Sequence, residues 1–437
     1  MDDLNRLARQ MQDLLTTTAD RTARECGFVK RVRKVTGANF VQALVFTWLG
    51  EPAASQSSLQ GTAAAVGLEL SRQGLEQRFT PQATEFLKRL LADATSRLID
   101  APVAIPLMDR FTSFEVLDSS IVALPDELAE VYRGGKSGTT TGEKAAVKLT
   151  VGLDLKTGAL RGPVLDDGRA ADLGSTLATA DPPKGGLALA DLNYFSLEKF
   201  RSWGLAGAYW VSRLKVRTAV YDDTGRRLDV LARLQAAGDR DVDLDVRLGA
   251  RERLACRLIA RKVPPSVAEL RRQRLREKSR RRGDRVSALA LAVCDWTILV
   301  TNVPRAMLSV EEAAAVTRMR WQIELVFKLW KSHGGIDEWN SRSPAKVLCT
   351  VYGKLLAMVV EHWTIVTGCW SRPDRSPAKA ARMIGKFALS LAMAIGCLKR
   401  LREVLRHAKQ VLETACRMEK RKSRNAHEMI LGFGTEP

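Results

Sequence analysis

Apolar residues recur three and four positions apart through the first hundred residues, with few alternating stretches, so residues 1–100 read as helical. Within them Ser58–Val66 predicts a short helix, Gly67 a turn and Ser71–Arg78 a second helix. That order resembles a helix-turn-helix, though an ordinary helical hairpin is the favoured reading. The pattern changes after residue 110. Phe114-Glu115-Val116-Leu117-Asp118 reads as a strand ending on an acid. Val147, Leu149, Val151, Leu153 and Leu155 alternate with other residues, Lys156-Thr157-Gly158 turns the chain, and Leu160–Val164 returns it as a hairpin. A short helix is expected near Asp172–Ala178, then a second strand over Gly186–Ala190 that again ends on an acid, Asp191. A helix over Ser196–Trp203 and a strand over Tyr209–Ser212 complete the order of a mixed α/β sheet.

Residues 215–300 read as an inserted β-rich module, in which Val242, Leu244, Val246 and Leu248 alternate with Asp241, Asp243, Asp245 and Arg247. Ile298–Val300 is a further strand. A long helix is predicted from about Ser309 to Lys331, with Ser309 or a near neighbour as its cap and Glu311 and Glu312 in its first turn. Residues 345–437 read as helical, broken at Gly368 and at Ser371-Arg372-Pro373.

Composition narrows the function. A chain of 437 residues, 46% hydrophobic, suggests two to four compact units. Lys plus Arg number 69 against 49 Asp plus Glu, a net charge of +20, which points to a polyanionic partner: nucleic acid or an acidic membrane surface. No apolar window is long and uncharged enough for a membrane span, since the best run, Leu355–Thr367, contains Glu361 and His362. The start, Met1-Asp2-Asp3-Leu4-Asn5, has no signal-peptide character. Seven scattered cysteines without a Cys-x-x-Cys pair fit a reducing cytoplasm and no structural zinc. With only four histidines, any metal chemistry is expected to use carboxylates. The run Arg271-Arg272-Gln273-Arg274-Leu275-Arg276-Glu277-Lys278-Ser279-Arg280-Arg281-Arg282 repels itself unless an anion relieves it. Phosphate contact is the favoured reading, a solvated basic helix the alternative.

The sharpest chemical signal lies on the long helix. Arg320, Glu324 and Lys331 are offset by four and seven residues, so at roughly 100° per residue they share one stripe with Thr317, while Ile323, Val326, Phe327 and Trp330 form an apolar face. An Arg-x-x-x-Glu spacing alone is also a common surface ion pair. Together with Asp118 and Asp191, however, Glu324 makes three acids from separate segments, a donor set suited to hard divalent cations. Two such ions about 4 Å apart can activate water or a 3′-hydroxyl and stabilise the leaving oxygen of a phosphodiester.

On these residues the chain resembles the DDE transposases of bacterial insertion sequences, in the subgroup marked by a Tyr-x2-Arg-x3-Glu-x6-Lys signature. Here the signature reads Thr317, Arg320, Glu324 and Lys331, with Thr in place of Tyr. Leu117-Asp118-Ser119-Ser120, Ala190-Asp191-Leu192-Asn193-Tyr194-Phe195, Tyr209–Lys215 and Thr301-Asn302 also match the family style. The likeness spans roughly 110–370 and, more weakly, the N-terminal helices.

The resemblance implies a helical DNA-binding domain over 1–100, an RNase H-like core over 110–215 and 304–370, a β-rich insertion over 216–303, and a helical C-terminal region over 371–437 suited to dimerisation. It implies Asp118, Asp191 and Glu324 as catalytic metal ligands for two Mg²⁺ ions, with Mn²⁺ as a substitute. Arg320, Lys331 and Thr317 would contact DNA, joined by Arg271, Arg272, Arg280 and Arg281 of the basic run. The implied function is cut-and-paste transposition: cleavage at inverted repeats and strand transfer into target DNA by a homodimer. No membrane is implied, and the setting is the bacterial cytoplasm beside the nucleoid. Trp296, Trp321 and Trp330 are candidates for stacking on an unpaired base, with core packing the favoured reading for Trp330. Two other classes remain expressible by the same charge: a non-catalytic DNA-binding repressor on this fold, and a polybasic membrane-surface protein, for which no amphipathic anchor is evident.

Overall fold

The computed structural model describes residues 3–31, 33–135, 144–372 and 374–419. The expected C-terminal helical region is therefore described only to residue 419. Nine strands are found among the described residues: β1 (Phe114–Leu124), β2 (Ala145–Asp154), β3 (Leu160–Asp167), β4 (Leu187–Ala190), β5 (Tyr209–Arg213), β6 (Val220–Tyr221), β7 (Val242–Leu248), β8 (Leu254–Lys262) and β9 (Trp296–Thr301). With the helices around them they make the mixed α/β architecture of an RNase H-like core. Over the described residues the chain divides into two compact units, one within residues 3–104, 118–177 and 322–419, the other within 105–117 and 178–321.

In the first unit the helix Pro344–Ile365 is buried on nearly all sides. It packs on Gly37–Gly50 and Pro81–Ser96, each started by a capping threonine, Thr36 and Thr80. Its Gly353 is required by packing, because a Cβ there would stand 2.2 Å from the Trp48 ring. Gly368 does not interrupt this helix as expected; the chain continues through a π-helical turn, Val366–Trp370, and breaks only at Ser371. Among the described residues no helix is long and apolar enough to cross a membrane. The strand order here is β3-β2-β1. β2 and β3 form the predicted hairpin, turned by Gly158 at φ +75°. β2 is buried on both faces instead of alternating.

In the second unit the order is β1-β4-β5-β9-β8-β7-β6. β1, β4 and β5 run parallel, while β9 is antiparallel to both β5 and β8. The β-rich stretch expected over 215–300 includes β8, a strand absent from the sequence reading, which pairs with β9 in the same sheet. One core gathers Phe200, Trp203, Trp210, Val246, Leu258, Ile298 and Val300, with the Phe200 and Trp210 rings stacked 4.3 Å apart. Thr301 and Asn302 stitch β9 to β5: the Thr301 hydroxyl donates to the Trp210 carbonyl at 2.6 Å, and the Asn302 amide donates to that of Ala208 at 2.9 Å. Buried Arg257 pairs with Asp243 at 2.7 Å and donates to the carbonyls of Val303 and Leu308, fixing the link into the next helix.

That helix starts at the expected cap, Ser309, which forms a capping box with Glu312. The single long helix predicted over 309–331 is in fact two, Val310–Met319 and Trp321–Ser332, with Arg320 at the junction. β1 is the other revision: it continues past Asp118 to Leu124, so that acid stands within the strand and not at its end.

Candidate active site

In the first unit, Asp118 is a half-buried residue of β1 whose carboxylate accepts the Ser119 N–H at 2.8 Å. Glu324 is half-buried in the first turn of the helix Trp321–Ser332, which packs by Ile323, Val326, Phe327 and Trp330. That apolar set is the face predicted from spacing. At the far end of the same helix, Lys331 donates its ammonium to the Ile121 carbonyl at 3.0 Å. Ile121 lies three residues beyond Asp118, so this bond fastens the Glu324 helix beside the Asp118 strand.

In the second unit, Asp191 follows β4, at the strand end anticipated from the sequence. The parallel register of β1 on β4 pairs Val116 with Leu189, two residues before Asp191. Arg320 brings its Nε to 3.7 Å from an Asp191 carboxylate oxygen, with both side chains 28% exposed. A cavity of about 250 Å³ opens there, lined by Asp191, Ser212, Arg213, Thr317, Arg320 and Trp321 among others. Thr317 donates its hydroxyl to the Ala314 carbonyl at 3.0 Å, a within-helix bond that leaves the oxygen's acceptor capacity to the cavity. Arg213 was not singled out for this role from the sequence; only the β5 register brings it here.

The basic run folds as the helix Pro265–Arg282, and its charges divide into two sets. Arg271 is half-buried and donates to the Trp296 carbonyl at 2.9 Å and the Thr297 hydroxyl at 3.0 Å. Burial above all, then the cations Arg213 and Arg318, push its guanidinium below the ordinary value, with Cys294 opposing. Arg272 pairs with Glu269 and Asp295. These contacts hold the helix on its own unit. Arg280 and Arg281 are exposed, as are Arg274, Arg276 and Lys278.

Of the three tryptophans, Trp296 and Trp330 are buried at 6% and 2% and belong to the core, whereas Trp321 is 56% exposed at the cavity. In the helix-turn-helix region, Ser55 caps Gln56–Ala65, Gly67 turns at φ +77°, and Ser71 caps Arg72–Glu76. This second helix is shorter than predicted, and its Arg72 donates to the Gln56 side chain.

Among the described residues no three His, Cys, Asp or Glu side chains stand as a ready metal-binding group. Taken singly, Asp118, Asp191 and Glu324 are each half-buried and each offer the oxygen ligands that hard divalent cations prefer.

Comparison with known proteins places these residues in context. The family model described as "Transposase DDE domain" matches residues 110–360, more than half of the chain. The transposase for insertion sequence element IS231B of Bacillus thuringiensis subsp. berliner is 27% identical over 384 residues, covering 82% of this chain and 79% of the relative. That for IS231D of Bacillus thuringiensis subsp. finitimus is 28% identical over the same shares. That for IS1151 of Clostridium perfringens is 23% identical over 373 residues, covering 80% of this chain and 78% of the relative. All three acids, Arg320 and Lys331 fall inside the matched span, and the chain belongs to the transposase DDE domain family.

Proposed function

We propose that this transposase cleaves DNA at the ends of an insertion sequence and joins them to target DNA, using Asp118, Asp191 and Glu324 as ligands for divalent cations. Bound there, two Mg²⁺ ions would lower the pKa of an attacking water or 3′-hydroxyl and neutralise charge on the leaving oxygen. The observation that carries the reading is the Arg320–Asp191 approach in a half-exposed cavity that also holds Arg213. Cations beside a metal-type carboxylate suit a site that must accept a phosphodiester. Arg320 can grip two phosphate oxygens, whereas Lys331 acts as a point charge. The half-exposed setting lets DNA reach the acids while the surrounding protein excludes part of the solvent.

The partner is double-stranded DNA, both terminal inverted repeats and target. The exposed cations of the helix Pro265–Arg282 extend the positive surface, and the helices of residues 1–100 are the proposed DNA-reading part. Synapsis of two ends calls for a homodimer, for which the C-terminal helices are the proposed contact. We place the protein with bacterial DNA in the cytoplasm.

Incubation of the purified protein with a labelled duplex bearing the element's terminal repeat, with and without Mg²⁺, tests the reading. Nicking that needs both Mg²⁺ and the repeat is expected. Repeat-specific binding with no cleavage under any divalent cation would instead indicate the repressor reading.

A further inference from the structure

Next to Asp118 the first unit holds a buried charge that the proposed chemistry does not use. Lys148, on β2, is only 7% exposed. Its ammonium donates to a carboxylate oxygen of Asp172 at 3.0 Å and to the Ala170 carbonyl. The same Asp172 oxygen accepts the Ser119 hydroxyl at 2.7 Å. The Ser119 N–H in turn donates to Asp118. Lys148, Asp172, Ser119 and Asp118 thus form one hydrogen-bonded chain drawn from β2, the turn after β3, and β1.

Geometry gives this chain a direction. Successive strand side chains point to opposite faces, so Ser119 is tethered on one face of β1 while Asp118 is presented on the other. A buried ammonium needs an anion and further acceptors to offset its desolvation, and Asp172 with the Ala170 carbonyl supplies them. That pair would be satisfied without Ser119. The serine bond is therefore surplus to the ion pair, and it ends on the residue whose amide orients Asp118.

We infer that Asp172, held by Lys148, is a positioning residue that fixes Ser119 and through it the carboxylate of Asp118. The inference rests on the proposed metal-binding role of Asp118. Partners that orient a metal ligand typically contribute 10- to 100-fold in metal affinity. Ser119 acts one step further out, so the lower end is expected.

The test is Mn²⁺ binding by the full-length protein, read from the electron paramagnetic resonance of free Mn²⁺, beside the Mg²⁺ dependence of end cleavage. Ser119→Ala and Asp172→Asn are expected to weaken Mn²⁺ binding about tenfold and to raise the half-saturating Mg²⁺ by the same factor. Their rates at saturating Mg²⁺ should approach that of the parent. Ser119→Thr, which keeps the hydroxyl, should restore the affinity lost in Ser119→Ala. If Asp172→Asn fails to fold because Lys148 is stranded, Ser119→Ala, which leaves the ion pair intact, decides the matter together with the neutral pair Lys148→Met/Asp172→Asn. Parental Mn²⁺ affinity in Ser119→Ala overturns the positioning role. Asp118→Asn keeps the two ideas apart. Parental Mn²⁺ binding and cleavage in that variant remove the metal role of Asp118 itself, whereas loss there with no effect at Ser119 or Asp172 removes only the positioning.

Discussion

The Arg320 guanidinium approaches Asp191 to 3.7 Å, tying the junction of two helices to the end of β4. At that separation, with both side chains partly in water, the pair adds little to stability. On the proposed function, its worth lies in holding a cation where a phosphate can take it up. Arg320→Ala should slow end cleavage about 10- to 100-fold, the value of one charge-assisted hydrogen bond at about 1.5–3 kcal/mol. Thermal melting should not move. Arg320→Lys should recover only part of the rate, because the two-pronged grip is lost. Cleavage kinetics and melting curves on the same preparations check this, and a variant that melts early while cleaving normally would contradict it.

The acids should behave as one set. Asp118→Asn, Asp191→Asn and Glu324→Gln are each expected to reduce Mg²⁺-dependent cleavage to below about a thousandth of the parent, the scale of several kcal/mol of lost metal stabilisation. DNA affinity should survive in all three, as gel shifts would show. Full activity in any one removes that acid from the site.

The basic helix should separate into binding and structural cations. Affinity for DNA should fall steeply with salt, and each lost phosphate contact should reduce the slope of log affinity against log salt by about one. Arg280→Ala/Arg281→Ala should lower that slope and leave melting unchanged. Arg271→Ala should lower the melting temperature, since its two hydrogen bonds to the β9 backbone and Thr297 disappear. The opposite pairing of effects would show that the two sets are misassigned.

Two buried groups on the helix Pro344–Ile365 set a pH dependence. Burial pushes the Glu361 carboxyl up from 4.5 to about 8. It pushes the His362 imidazole down from 6.5 to about 4, partly countered by the bond to the Gly158 carbonyl. Between about pH 6.5 and 8, His362 is neutral folded or unfolded, while Glu361 holds its proton only when folded. Stability should therefore fall by about 2 kcal/mol as pH rises through that window. Between about 4.5 and 6.5 the two slopes oppose and nearly cancel. Denaturant midpoints at pH 6.5 and 8 should differ for the parent and converge for Glu361→Gln. An equal pH response in both would contradict the assignment.

How far the fold was legible follows from what each pattern reports. β7 was readable because one face is buried, so Val242, Val246 and Leu248 alternate with aspartates and Arg247. β8 was not, because buried Arg257 breaks its apolar run, and only the fold supplies Asp243 as its partner. The helix break at Arg320 leaves no mark in the periodicity, since that residue keeps helical angles of φ −52° and ψ −28°. The end of β4 at Asp191 was legible from a short apolar run meeting an acid; β1 runs past Asp118 because Val122 and Leu124 find buried positions further on. At the site, spacing put Arg320, Glu324 and Lys331 on one stripe, but not what they touch. The Ile121 carbonyl under Lys331 and the β9 backbone under Arg271 are tertiary partners that no local pattern encodes.

The most direct measurement is anomalous diffraction from crystals of the protein bound to its terminal repeat and soaked in Mn²⁺. Manganese peaks about 2.0–2.6 Å from carboxylate oxygens of Asp118, Asp191 and Glu324 are the expected result, given the bond lengths of hard cations to oxygen. Manganese bound elsewhere, with any of these three carboxylates more than about 5 Å from the nearest ion and hence outside direct ligation, would contradict the account.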